Sequence, residues 1–110
     1  MSYKVETGQT FDAQLKRLVK KYASLKNEIA QLGNRLAEDP AFGTPIGKSC
    51  YKIRLAIKSK GQGKRGGARV ITCVIAVDER VILLSIYDKA DQNTILEQEL
   101  MRVLTQEELG

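Results

Sequence analysis

The spacing of apolar residues changes period along this chain, and the change separates helices from strands. Phe11, Leu15, Leu18, Val19 and Tyr22 fall on one helical face behind Thr10, which can cap a helix over 11–22. Leu25, Ile29, Leu32 and Leu36 repeat the pattern behind Ser24, and Asp39-Pro40 closes it. The spacing predicts a helical hairpin whose outer face is wetted by Lys16, Lys20, Lys21 and Lys26. After the turn-rich "AFGTPIG" the period drops to two. In "CYKIRLAIK", Tyr51, Ile53, Leu55 and Ile57 share one strand face, while Lys52, Arg54 and Lys58 share the other with Ala56.

Two β-branched runs follow, "ARVITCVIAV" and "RVILLSIY", separated by the turn-like Asp78-Glu79. "SYKVETG" alternates more weakly and reads as a first strand. Asp91 can cap a last helix that turns Ile95, Leu96, Leu100, Val103 and Leu104 inward. The order β-α-α-β-β-β-α predicts one α+β domain over residues 1–110. Its small antiparallel sheet carries an N-terminal helical hairpin and a C-terminal helix.

Charge adds what periodicity cannot. No acidic residue lies between Asp39 and Asp78, a window that holds Lys48, Lys52, Arg54, Lys58, Lys60, Lys64, Arg65 and Arg69. The rest of the chain has ten cations against thirteen acids, so the net +5 is concentrated in the middle. Cations gathered on one surface point to a polyanionic ligand, because binding phosphates releases counterions. The chain has no histidine, which excludes a His-based metal site and a Ser-His or Cys-His nucleophile. Cys50 and Cys73 are too few for a disulfide framework and lack metal-site spacing, so a reduced, cytoplasmic protein without metal or cofactor is expected. No signal peptide or membrane-length apolar run is seen, and no membrane partner is expected.

"GQGKRGGARV" spells G-x-G-x-x-G at Gly61, Gly63 and Gly66. A dinucleotide fingerprint needs a strand before it and a helix after it, since the pyrophosphate rests on the helix N-terminus. Here a strand-like run follows. A Walker loop fails as well, because Gly63-Lys64 continues into Arg65 and not Ser or Thr. The stretch reads as a cationic connection between strands, in which Lys58, Lys60, Lys64 and Arg65 can meet a phosphate backbone. Lys52 and Arg54 project from one strand face. If Arg69 faces the same way, three cations converge, with Tyr87 and Lys89 at the border.

"CYKIRLAIK", "GKRGGARVI" and "LLSIYDKAD", with the hairpin "LKRLVKKYASLKNEI", resemble the RelE/ParE superfamily of type II toxins, in its RelE and HigB-like branch. The resemblance covers nearly the whole chain. It implies a microbial-RNase-like fold and an endoribonuclease that cuts mRNA on the ribosome and is silenced by an antitoxin encoded in an adjacent gene. It also implies that Lys52 and Arg54 contact the scissile phosphate, that Arg69 stabilises transition-state charge, and that Lys89 and Tyr87 complete the site. RelE itself carries a tyrosine in the C-terminal segment, where this chain aligns Ile95.

The implied chemistry is attack of the ribose 2′-hydroxyl on the adjacent phosphate, releasing a 5′-hydroxyl. Without histidine the proton acceptor is Lys52, Lys89 or Tyr87, and a cluster of cations favours the neutral amine and the phenolate. Two alternatives stand beside this: a ParE-like inhibitor of DNA gyrase acting by protein contact, and a non-catalytic RNA- or ribosome-binding protein. The convergence of Lys52, Arg54 and Arg69 favours the nuclease.

Overall fold

The long apolar run near the C-terminus becomes the sheet's most buried strand. In the computed structural model, which describes residues 2–61, 63 and 65–109, every residue from Val81 to Asp88 of strand β5 (Arg80–Asp88) is buried. The remaining strands are β1 (Lys4–Thr7), β2 (Thr44–Gly47), β3 (Cys50–Leu55) and β4 (Ala68–Ile75). They form one sheet in the order β1-β5-β4-β3-β2. Helices α1 (Gln9–Lys21) and α2 (Leu25–Glu38) cover one face, and α3 (Glu97–Gln106) packs on the other.

The α+β class and the order of the expected elements hold, and two features enlarge the sheet. β1 pairs in parallel with β5, Lys4 opposite Arg80, so the sheet is mixed. "TPIG", expected as connection, is an edge strand antiparallel to β3. Both gains are backbone pairings with residues distant in sequence or across a tight turn, which side-chain periodicity does not encode.

The helix boundaries also shift. Thr10 does not cap α1; the helix begins at Gln9, whose amide donates to Glu107 Oε2 at 2.9 Å. A carboxylate just past the end of α3 thus satisfies one of the four orphan donors at the start of α1. Asp91 does not cap α3 either, because residues 89–96 form turns and extended chain. Leu96 stands at the N-cap and is 66% exposed, whereas Leu100, Val103 and Leu104 pack inward as expected.

A bulge in β5 decides which side chains share a face. Ile71 pairs with Ser85 and Thr72 with Leu83, leaving Leu84 as one additional residue. Strict alternation would put Tyr87 on the face opposite Ile82 and Leu84. With the bulge, Val81, Leu83 and Ile86 join Phe11, Leu25, Leu36 and Ile53 under the helical hairpin. Ile82, Leu84 and Tyr87 instead join Cys50, Ile71, Cys73 and Leu100 under α3.

The glycine-rich connection has a structural task of its own at Gly67, just before β4. A Cβ added there would lie 2.0 Å from the carbonyl oxygen of Leu55, and that obstacle is backbone. At Gly63 the same atom meets nothing within 4 Å. Gly67→Ala should therefore destabilise the fold by about 3 kcal/mol in urea unfolding, while Gly63→Ala changes little.

Candidate phosphate-binding site

The register of three strands assembles the cationic patch. Arg54 of β3 lies opposite Arg69 of β4, which lies opposite Tyr87 of β5. Directly opposed residues point to the same face, so Arg54, Arg69 and Tyr87 form one row across the sheet. Lys52, two residues before Arg54, adds a fourth group on that face, opposite Ile71. The amide of Val74 bonds the carbonyl of Ser49, which fixes the ladder's phase and makes Arg54 and Arg69 a non-hydrogen-bonded pair. Such pairs bring Cα atoms to about 4.5 Å and side chains closer than in a hydrogen-bonded pair.

Exposure falls along the row. Arg54 is exposed, Lys52 half-buried, Arg69 4% exposed and Tyr87 5% exposed. The Arg69 guanidinium donates to the carbonyls of Ala68 (3.1 Å) and Arg65 (3.0 Å), which orients it along the glycine-rich connection. Burial, reinforced by the neighbouring charge of Arg54, holds its pKa below the usual arginine value. A guanidinium so placed remains a cation.

Tyr87 departs from the expected phenolate. Burial raises its pKa, Arg69 opposes the rise, and Glu99 of α3 adds to it. Its hydroxyl is enclosed without a well-formed hydrogen bond, although the Ile95 backbone amide is near enough to favour the anion slightly. Tyr87 therefore stands as a neutral phenol, because the loss of solvent outweighs the attraction of one arginine.

The other expected cations divide. Lys58 is exposed on a short 3-10 turn (58–60), with its backbone amide held by Glu28 Oε2 at 2.7 Å. Arg65 is exposed and supplies the carbonyl that Arg69 grips. Lys89 sits in the turn after β5 with its ammonium on Asn93 Oδ1, 2.6 Å away. Lys64 lies outside the described residues. Lys60, expected to meet RNA, turns inward: its ammonium donates to Asp88 Oδ1 and to the carbonyl of Gly66.

Asp88 is the residue that sequence reasoning passed over. Its side chain is fully enclosed and accepts from Lys60, from the Tyr22 hydroxyl and from the amide of Ala90, with Lys21 at 3.9 Å. Burial disfavours the carboxylate, but the Lys60 and Tyr22 hydrogen bonds and the Ala90 amide outweigh it and bring the pKa down to about 2. The signal was an acid ending an otherwise apolar strand, in "VILLSIYD"; its partners lie 28 and 66 residues away.

Two solved structures share this architecture. A mutant of the E. coli toxin RelE in the free state, with two arginines replaced by alanine, superposes with a TM-score of 0.62 at 17% identity, covering 96% of this chain and 98% of that one. The fold is that of the RelE toxins. The toxin–antitoxin complex RelBE2 from Mycobacterium tuberculosis matches with a TM-score of 0.60 at 15% identity, over 80% of this chain and 99% of that one. No protein-family model matches the sequence, and no curated protein matches it. Among the described residues no helix of this RelE-like fold is long and apolar enough to cross a membrane, and no cluster of acidic and cysteine side chains could hold a metal ion.

The Asp88 network makes stability depend on pH with a definite sign. Its folded pKa lies below the ordinary carboxylate value, so its contribution is present above about pH 4 and is lost as pH falls toward 2. Asp88→Asn should cost about 2–4 kcal/mol at pH 7, because Lys60 loses its buried partner. In urea melts the gap from the wild type should shrink as the pH is lowered from 4 toward 2.

Proposed function

We propose that this chain is the toxin of a type II toxin–antitoxin pair and acts as a ribosome-dependent mRNA endoribonuclease. The observation that carries the reading is the cross-strand row of Arg54, Arg69 and Tyr87 with Lys52 beside it, on a RelE fold. A phosphodiester seated on that row meets three cations from two adjacent strands. Arg54 and Lys52 grip its non-bridging oxygens from the solvent side. Arg69, oriented by the Arg65 and Ala68 carbonyls, faces the charge that grows on the phosphorane as the 2′-oxygen attacks.

The P–O5′ bond then breaks, leaving a 2′,3′-cyclic phosphate and a 5′-hydroxyl. Tyr87, held neutral, serves as proton donor to the leaving oxygen, and the 2′-hydroxyl proton passes to water. This sparse acid–base equipment suits an enzyme whose substrate is aligned by another body, here the ribosome, since alignment supplies much of the barrier reduction. The antitoxin in this reading covers the cationic face with an acidic or amphipathic segment. RelBE2, a toxin–antitoxin complex of like fold, supports that partner.

Cleavage in a reconstituted translation reaction, read as new 5′ ends on the mRNA, tests the roles. Arg69→Gln should lower the rate about 10²- to 10³-fold, and Arg69→Lys should restore part of it. Full activity in a folded Arg69→Gln protein would remove Arg69 from the site. Tyr87→Phe should leave thermal stability unchanged or raised, since it deletes an enclosed hydroxyl without a well-formed bond. A rate at least about tenfold lower in that variant assigns the phenol the proton, whereas an unchanged rate reduces Tyr87 to packing.

A further inference from the structure

The hairpin turn joining β2 to β3 is built from residues that do not favour its shape. Gly47 pairs with Cys50, so the loop is the two residues Lys48 and Ser49, with φ of 57° and 61°. Both central positions of such a turn require positive φ, which Asn or Asp followed by Gly provides at least cost. A lysine followed by a serine costs stability at each position, and strain of this kind persists where something else is gained.

The gain is visible in what Lys48 lines. Together with Lys52 it borders a cavity of about 280 Å³ against the segment that leads into α3, alongside Ile46, Ile95, Glu97 and Leu100. Lys48 is exposed, and among the described residues neither it nor Lys52 has a carboxylate within ion-pair distance. Glu97 is the acid on that rim, against two ammonium groups. Running from the turn along β3, Lys48, Lys52 and Arg54 make a cationic line that leads into the Arg69 row.

We infer that Lys48 is a phosphate-binding residue, and that its strained turn extends the site by a further phosphate of a single-stranded RNA. The inference rests on the RNA reading above but not on cleavage. The chain bends at the hairpin, and the ammonium of Lys48 is offered over the cavity that Lys52 shares. A nucleotide flanking the scissile phosphate has its backbone charge met there.

Strain and charge can be separated by substitution. Lys48→Asn supplies a residue suited to the turn and removes the charge. Ser49→Gly relieves the turn and keeps the charge. Lys48→Arg keeps both charge and strain. Melting temperature and affinity for an unstructured single-stranded RNA oligonucleotide would be measured across a salt series, with cleavage on programmed ribosomes in parallel.

Lys48→Asn should melt roughly 2–5 °C higher and bind RNA roughly three- to tenfold more weakly, with a log–log salt slope shallower by about 0.7. Ser49→Gly should gain stability with affinity unchanged, and Lys48→Arg should match the wild type. RNA binding by Lys48→Asn equal to that of the wild type, or no binding by the wild type, would overturn the proposal. Weakened binding in Lys48→Asn with no cleavage by any variant would uphold the phosphate site and sink the nuclease reading.

Discussion

Asp88 is where the helical hairpin, the glycine-rich connection and the central sheet are tied together. One enclosed carboxylate accepts from Tyr22 at the end of α1, from Lys60 at the start of the connection and from the turn after β5. Lys60 also reaches the Gly66 carbonyl, so the connection is pinned near both ends. Breaking such a buried pair costs far more than never having built it, which gives it leverage over local order. What it orders is the backbone from which Arg65 offers a carbonyl to Arg69.

The cationic row sets like charges side by side. Arg54 and Arg69 stand directly opposed on neighbouring strands, and Arg69 is nearly enclosed. At the Arg69 position packing alone would favour an apolar residue, as at Ile71 or Val70 beside it. The fold keeps the row, and it keeps an ill-suited lysine in the β2–β3 turn at the end of the same line. Both features lower stability and both concentrate positive charge on one face. The proposed role accounts for that pattern, because an anionic ligand would offset the charge that the free protein carries on this face.

The helical hairpin and the strands β3, β4 and β5 were legible because their apolar periods are long and agree with burial. Lys52, Arg54 and Arg69 were legible as a cluster because strand alternation fixes facing once pairing is assumed. The face of Tyr87 was not, since a single additional residue, Leu84, inverts the parity of β5 beyond it. Nor was the state of its phenol, because burial by the segment around Ile95 and the charge of Glu99 both depend on the docking of α3. Lys60 read as a ligand-facing cation for want of any local sign that Asp88 would claim it. The start of α1 was misplaced for a like reason: its cap comes from Glu107, 98 residues away.

The central claim is that the Arg54–Arg69 row receives a phosphate of mRNA on the ribosome. It is tested most directly by a cryo-electron microscopy structure of the chain on a translating ribosome, with the attacking 2′-hydroxyl of the mRNA replaced by hydrogen. The account predicts the scissile phosphate within hydrogen-bond reach of both guanidinium groups and of Lys52. An mRNA backbone that passes elsewhere, with the row facing ribosomal protein or solvent, would contradict it.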